Sequence, residues 1–399
     1  MTQSAQPHLF WIHTVSLPDQ LDSATWLDTT QALRSMGWQV TLISSGSREG
    51  TASLRGIDYT VVSKPNVYFL GQLLYHLKLS RRILSNWRNI DIILFHQMSS
   101  FWMIPLRLLS LFLWKRPLFV LDTRTLPMEH TENLGLKDRL RVAFFMFVTN
   151  YSRLWVDGQL AITEPMAEAI KIPPRQYWGV WPSGVDAGRF QDVQTERRWP
   201  QAGDPVRYVY VGALSTERNL LGFCRALEQA NAEGIPCEML IVGGGTQEAD
   251  LKALAATSEG RIQMLPPVPH DQIPELLMQA HIGVLPFPDE QRFNVSSPIK
   301  LFEYLASGLV IYSTKLICIT NVTGDHPDIF WAKASEDAAF LAAIREVHQQ
   351  RDRLPEIGAE MQSMADKWTW DEAAKKLARG LQKGLAQFGR AEGNSLTST

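Results

Sequence analysis

The chain has 399 residues, of which 45% are hydrophobic and 20% charged, and a formal net charge of −2. A single core rarely extends beyond about 250–300 residues, so two domains are expected in a protein of ordinary globular composition. Its three cysteines, Cys224, Cys237 and Cys318, are odd in number and lack a CxxC spacing. This argues against a zinc site and for reduced thiols in a cytoplasmic setting.

The near-zero total conceals a gradient. Residues 1–200 hold 21 Lys and Arg against 16 Asp and Glu, the remainder 18 against 25, and the stretch 64–155 alone 13 against 5. The first half is therefore the one expected to meet an anionic surface, and no nucleic-acid partner is expected. Met1 to Pro7 has neither a basic region nor an apolar core, so no secretory signal is expected.

Leu9 to His13 and Gln39 to Ser44 read as strands separated by a helix from Ala24 to Met36 that Gly37 ends, a βαβ opening. The loop after the first strand is Ser16-Leu17-Pro18-Asp19-Gln20-Leu21-Asp22. Tyr59 to Val62 is a third strand. Leu70, Leu73, Leu74, Leu77, Leu84 and Trp87 then recur at helical spacing, with Lys78, Arg81, Arg82 and Arg88 largely on another face. Such a helix either packs on its own sheet with a solvated basic face or lies on anionic lipid.

Asp91 to His96 is a buried-type strand. Phe101 to Trp114 is strongly apolar but is interrupted by Pro105 and Arg107 and falls short of the roughly 20 residues that span a bilayer. Arg139 to Val148 is another apolar patch beside basic residues, and ten of the thirteen tryptophans precede residue 200. Apolar, aromatic and basic residues together suit a peripheral enzyme on the inner face of a membrane, although tryptophans also simply fill cores. Leu118 to Leu121 is a strand leading into Asp122-Thr123-Arg124-Thr125, and Leu160 to Thr163 is the last strand of the first domain. The polar run Gln191 to Pro205 marks the linker. The expected organisation is a first Rossmann-like domain over 1–190, a linker over 191–205, a second Rossmann-like domain over 206–367, a terminal helix over 368–388 and a disordered Gly/Ser/Thr-rich tail over 389–399.

The stretch from Ala280 to Ser313 organises the second half. It reads as strand (Ile282 to Pro286), polar loop, short helix and strand (Leu309 to Tyr312). Ser297 suits an N-cap, Pro298 the first helical position and Gly308 the left-handed residue after the last turn. Leu301 with Leu305 and Phe302 with Ala306 make the buried stripe, leaving Lys300, Glu303 and Ser307 on another side. A helix N-terminus at the end of a parallel strand suits phosphate, and Glu303 is placed to accept from ribose hydroxyls. A surface Lys300/Glu303 pair on an ordinary crossover helix is the plain alternative.

Further segments add a wider pattern: Val211-Gly212-Ala213-Leu214 with Glu217-Arg218-Asn219-Leu220, Leu240-Ile241-Val242-Gly243-Gly244-Gly245, Ile273-Pro274-Glu275-Leu276-Leu277 and Val284-Leu285-Pro286-Phe287. In this order, and with Trp181-Pro182-Ser183-Gly184-Val185-Asp186 before them and Trp368-Thr369-Trp370 after, they resemble the retaining glycosyltransferases of family 4. The resemblance implies an α/β protein of GT-B architecture: two Rossmann-like domains with an interdomain cleft, and a final helix returning to the first domain. It implies transfer of a sugar from a nucleoside-diphosphate sugar of UDP or GDP type to a hydroxyl acceptor, with retention and with neither metal nor separate cofactor; the basic, aromatic first half favours a lipid-linked glycan or polysaccharide precursor as that acceptor.

By the same resemblance Arg218 and Lys300 neutralise the departing diphosphate, Glu303 binds ribose, and Gly212, Leu214, Gly243, Gly244, Gly245, Pro286, Phe287, Asn294, Ser296, Ser297, Pro298 and Ile299 line the donor. Asp122 and Arg124 fall on the acceptor side, where an internal ion pair holding the loop is the alternative. The sequence departs from the family in three places, one of them Thr125, which stands where the D-x-R-D pattern has its second Asp. The first loop lacks its glycines, and the first carboxylate of the E-x7-E pattern is replaced by Val295, leaving Asn294, Asp289 or Glu290 to contact the sugar. His96 and His270 are bases by residue type, with a structural role the alternative. The triple glycine lacks the third glycine of a dinucleotide fingerprint, which disfavours a nicotinamide enzyme. A sugar-nucleotide epimerase and a non-catalytic sugar-nucleotide or glycan-binding subunit remain as rival readings.

Overall fold

The computed structural model describes residues 6–20, 22–113, 115–127 and 135–389; the tail expected from 390 onward lies outside them. The chain forms two compact units. Among the described residues, one comprises 6–127, without 21 and 114, together with 135–182 and 370–389, and the other comprises 183–369.

The first unit is built on an eight-stranded sheet: β1 (His8–Ile12), β2 (Gln39–Gly46), β3 (Gly50–Leu54), β4 (Ile57–Ser63), β5 (Ile92–Phe95), β6 (Leu118–Thr123), β7 (Gly158–Ala161) and β8 (Tyr177–Val180). The order is β3-β4-β2-β1-β5-β6-β7-β8, parallel except that β3 runs against β4. Every residue of β1 is buried, as a parallel strand covered on both faces requires. Alternation sends its side chains to two cores. Leu9 and Trp11 join Leu27, Leu33, Leu377 and Leu381, whereas Phe10 and Ile12 join Tyr75, Leu79 and Ile83.

Two strands escape the sequence reading. β3 is a polar edge strand turned by Arg55 (φ 55°) and Gly56 (φ 75°), so no apolar alternation announces it. β8 follows β7, so Leu160 to Thr163 does not mark the unit's last strand. Its pairing shifts register between Gln159 and Leu160, and a run of four residues offers little period to read. Apart from the terminal helix, the unit's chain runs to Pro182 and not to 190, because Val185, Phe190 and Val193 belong to the second unit's core.

The terminal helix, Trp370–Gln387, begins two residues later than the sequence suggests and belongs to the first unit. Glycines allow it close to β8. A Cβ on Gly384 would lie 2.4 Å from the Trp178 ring, and one on Gly158 2.0 Å from the same ring. Among the described residues no helix is long and apolar enough to cross a membrane.

The second unit carries a six-stranded, wholly parallel sheet: β9 (Val206–Val211), β10 (Cys237–Val242), β11 (Ile262–Leu265), β12 (Ile282–Leu285), β13 (Val310–Thr314) and β14 (Phe330–Ala332). Their order is β11-β10-β9-β12-β13-β14. The chain winds outward from β9 in one direction and returns to its other side through β12, so the loops after β9 and β12 diverge. In such sheets the crevice outside the carboxyl ends of the strands at a topological switch point is the usual ligand position. All three cysteines are buried and unpaired.

Candidate functional site

The helix Ile299–Ala306 follows β12 at this crevice. Its carboxyl end closes as the sequence implies. Gly308 adopts φ 62°, the Leu309 N–H reaches the Tyr304 carbonyl at 2.9 Å, and the Gly308 N–H reaches that of Leu305 at 2.8 Å. These are the paired bonds of a Schellman stop, which glycine permits without strain. The amino end differs from expectation. Pro298, with ψ 114°, precedes the first helical residue, Ile299, and no side chain caps the helix. The Ser297 hydroxyl instead accepts from the Ser183 N–H at 3.0 Å, while the Ser183 hydroxyl donates to the Ser297 carbonyl at 2.8 Å. Ser297 thus anchors Ser183 and leaves the N–H groups of the first turn without a side-chain acceptor.

Lys300 points from that first turn toward β9. Its ammonium lies 3.9 Å from the centroid of the Tyr210 ring and 5.6 Å from that of Phe287. Gly212 leaves room for it: with φ 134°, it would set a Cβ 2.7 Å from Lys300 Nζ. Arg218 ends the turn Thr216–Arg218, which closes on Asn219 in the left-handed region (φ 49°). The Asn219 amide donates to the Ser335 carbonyl at 2.8 Å, and the Ser335 hydroxyl donates to the Pro286 carbonyl at 2.7 Å, which fixes the loops after β9 and β12 together. The Arg218 guanidinium lies 5.3 Å from the Phe287 centroid, with a buried Nε that has no hydrogen-bond acceptor.

Neither Lys300 nor Arg218 forms an ion pair with a carboxylate among the described residues. Burial drives the Lys300 pKa well below its ordinary value, the nearby Arg218 charge adds to the effect, and Glu303 opposes it. A lysine on an aromatic face whose charge is disfavoured by burial and by a neighbouring guanidinium is an arrangement that an anion would relieve.

Glu303, one turn further along, is almost fully buried at 7% exposure. Its Oε1 lies 2.8 Å from His270 Nε2, and the other ring nitrogen, Nδ1, lies 2.7 Å from an Arg189 Nη1. Lys300 and Glu303 are therefore not a solvated surface pair. His270 is thereby in contact with Glu303, a link that no local sequence signal carries.

The other residues implied by the resemblance divide into framework and rim. Gly243 (φ 152°) would set a Cβ 1.9 Å from the Gly212 carbonyl, and Gly245 (φ 157°) one 2.4 Å from that of Leu214. The Leu214 N–H donates to Gly244 and the Gln247 N–H to Leu214, both at 2.9 Å. These glycines serve the packing of the β9 loop on the β10 loop. Leu214, Pro286 and Phe287 are buried supports, with Phe287 stacked on Phe293 at 5.1 Å. Ser296 bonds to the Phe293 carbonyl at 2.7 Å, whereas Pro298 and Ile299 are half-exposed at the crevice.

Val295 is buried, so an apolar contact occupies the position of the family's first carboxylate. Asn294 does not replace it freely. Its amide donates to Asp289 at 2.5 Å and its carbonyl accepts from the Ile317 N–H at 2.8 Å. Glu290 is ion-paired to the buried Arg292.

Asp122 and Arg124 belong to the first unit and form no direct ion pair within 4 Å there. They meet through Trp181 instead. The indole Nε1 donates to Asp122 at 3.0 Å, Arg124 donates to the Trp181 carbonyl at 3.1 Å, and its guanidinium stacks 3.5 Å from the ring centroid. Burial pushes the Asp122 pKa up to about 6 and lowers that of Arg124 to about 10. His96 donates to or accepts from Thr14 at 2.9 Å and caps the helix that follows it. One trio of metal-ligand types, His326, Asp328 and Glu360, lies in the second unit among the described residues, with Asp328 already bound to Arg353 at 3.0 Å.

No curated protein sequence matches the chain. Among solved structures, sucrose-phosphate synthase from Thermosynechococcus elongatus is similar over 96% of this chain and 100% of its own, at 12% identity and a TM-score of 0.75. Anabaena HepE in complex with UDP and glucose is similar over 95% and 100%, at 15% identity and a TM-score of 0.68. The catalytic domain of starch synthase IV from Arabidopsis thaliana, bound to ADP and acarbose, covers 96% and 100% at 8% identity and a TM-score of 0.70. At such identities the likeness shows the fold, which is GT-B. Two family models match the sequence itself, one described as Glycosyltransferase Family 4 over residues 23–189 and one described as Glycosyl transferases group 1 over residues 205–350. With both halves matched in order and the fold agreeing, the chain belongs to the group 1, family 4 glycosyltransferases.

Proposed function

We propose that this glycosyltransferase takes its sugar from a nucleoside-diphosphate sugar of UDP or GDP type and passes it to a hydroxyl acceptor with retention of configuration. The observation that carries the reading is the pair Lys300 and Arg218, two cations on aromatic floors with no carboxylate partner at a topological switch point. A diphosphate would supply the missing countercharge, helped by the open N–H groups at the start of the helix Ile299–Ala306. As the bond between the anomeric carbon and the diphosphate oxygen breaks, charge grows on the leaving group, and Lys300 and Arg218 stabilise it where it grows. The acceptor oxygen forms the new bond on the same face and its proton passes to a donor phosphate oxygen. In this reading Lys300 and Arg218 perform the neutralisation for which other enzymes use a metal, and no separate cofactor is needed. Glu303 accepts from the ribose.

Replacing Arg218 or Glu303 by Ala should weaken UDP or GDP binding, measured by calorimetry, by about tenfold or more, the expected cost of one charge-assisted hydrogen bond. Unchanged affinity and turnover in both variants would defeat the assignment. Val295 and the tethered Asn294 favour a second reading, a sugar-nucleotide-binding subunit without activity. Hydrolysis or transfer of the donor by the purified chain separates the two.

The acceptor we favour is a lipid-linked glycan, on a membrane met by the first unit. Helix Leu136–Ser152 exposes Leu136, Leu140, Phe144, Phe147 and Tyr151 at helical spacing, and Phe112 is 83% exposed. A stripe of that kind in the basic stretch 64–155 suits shallow insertion into an anionic bilayer, a cytoplasmic and peripheral location. Flotation with vesicles containing anionic lipid, against neutral vesicles and against Phe144→Ser with Phe147→Ser, tests it.

A further inference from the structure

We infer that His270 is a positioning residue for Glu303 and that Arg189 selects its tautomer, so that the carboxylate is held to read a ribose hydroxyl; this rests on the donor reading above. Three separate segments meet at the ring. Arg189 lies in the turn Ala187–Arg189, clamped beside the fully buried Phe190, and its N–H bonds to the Asp186 carbonyl at 3.1 Å. His270 opens the turn His270–Gln272 after Pro269, and Glu303 comes from the helix at the crevice.

A guanidinium has only donors. Its contact at 2.7 Å with His270 Nδ1 therefore requires a lone pair on that nitrogen, which puts the ring proton on Nε2. Nε2 then donates to Glu303 Oε1 at 2.8 Å. The ring holds one carboxylate oxygen, and Oε2 has no protein donor among the described residues. One oxygen is thus committed to the frame and the other left for a ligand hydroxyl. Without His270, Glu303 would be free to swing toward Lys300, 3 positions earlier on the same helix face, and occupy the cation meant for phosphate.

The readout is discrimination at the ribose, which a merely structural role would not alter selectively. Affinities for UDP and GDP and for their 2′-deoxy and 3′-deoxy counterparts are measured by calorimetry in the wild type, His270→Ala, His270→Gln and Arg189→Ala. The wild type should favour the ribonucleotide over at least one deoxy form by about tenfold, the scale of one hydrogen bond to a charged group. In His270→Ala that ratio should collapse toward one, in Arg189→Ala it should fall severalfold, and in His270→Gln, whose side-chain amide also donates, it should largely survive. A ratio retained in His270→Ala and Arg189→Ala, or lost equally in His270→Gln, overturns the inference while leaving the donor reading intact. If His270→Ala fails to fold, Gln and Arg189→Ala still decide the matter. Absence of binding by the wild type to any of these nucleotides overturns the donor reading, and the inference with it.

Discussion

Replacing Lys300 by Met separates a ligand-binding cation from a structural one, because the two roles change stability in opposite directions. Met keeps the length of the side chain over Tyr210 and Phe287 and removes only the charge. The lost cation–π contact costs about 1–2 kcal/mol in a desolvated site. Against this stand the burial of an ammonium without a carboxylate partner and its repulsion by Arg218, both of which disfavour the charged form. Relief of an uncompensated charge in a poorly hydrated site is worth a few kcal/mol, so the variant without ligand should be more stable than the wild type by roughly 1 kcal/mol at pH 7. The sign with pH follows from linkage. A lysine whose pKa is depressed in the fold penalises the native state wherever it is protonated, and the penalty fades as pH climbs toward the unfolded value of 10.5. The advantage of Met should therefore shrink between neutral pH and pH 10. Binding should move the other way, with UDP or GDP affinity falling by about 10- to 150-fold, the equivalent of roughly 1.5–3 kcal/mol for a charged hydrogen bond. Urea denaturation without nucleotide and calorimetry with it give both numbers on one preparation. A variant that loses stability and affinity together, or that binds normally, would refute the role.

Two further substitutions probe the first unit. Asp122→Asn keeps the acceptor for the Trp181 indole but removes a carboxyl whose pKa rises from 3.8 to about 6 in the fold. A raised acid stabilises the native state below its unfolded pKa and loses that contribution as pH rises through its folded one, an amount on the order of 3 kcal/mol here. Wild type should therefore lead the Asn variant by more at pH 4 than at pH 7 in urea titrations, and an equal lead at both would sink the argument. Gly384→Ala would ordinarily favour a helix by up to about 1 kcal/mol, yet its Cβ would meet the buried Trp178 ring at 2.4 Å. Overpacking of about 1–3 kcal/mol should win and lower the melting temperature. In a Trp178→Leu background the same change should become neutral or stabilising, and a drop of equal size there would show that the ring is not the obstacle.

Much of the second unit was readable because its signals are local. Gly308 stops the helix Ile299–Ala306 through bonds to residues within the preceding turn, and β9, β10 and β12 appear as apolar runs because both faces of a parallel sheet are covered. The misreadings arise where a partner is distant. Ser297 has the residue type of an N-cap, but its hydroxyl is claimed by Ser183, 114 residues away in sequence. Asp122 and Arg124 look like an ion pair two positions apart, yet an indole from Trp181 stands between their roles. The polar edge strand β3 has no buried face to give it a period.

The glycines after β10 show how the same residue supports two readings that geometry then ranks. A glycine run at the end of a parallel strand suggests close approach by a ligand, and the resemblance to family 4 implies donor contact. Gly243 and Gly245, however, are required already by protein atoms, since the carbonyls of Gly212 and Leu214 lie where their Cβ atoms would be. Their demand is therefore present without ligand, and it governs the position of the β9 loop that ends in Arg218. Gly212 is the reverse case, because the atom nearest its missing Cβ is the Lys300 ammonium itself. The cation has room at the crevice because β9 is followed by a residue without a side chain. A phosphate site at this switch point thus depends on a glycine that contributes no side-chain atom to it, and on neighbours whose first effect is to hold two loops at contact distance.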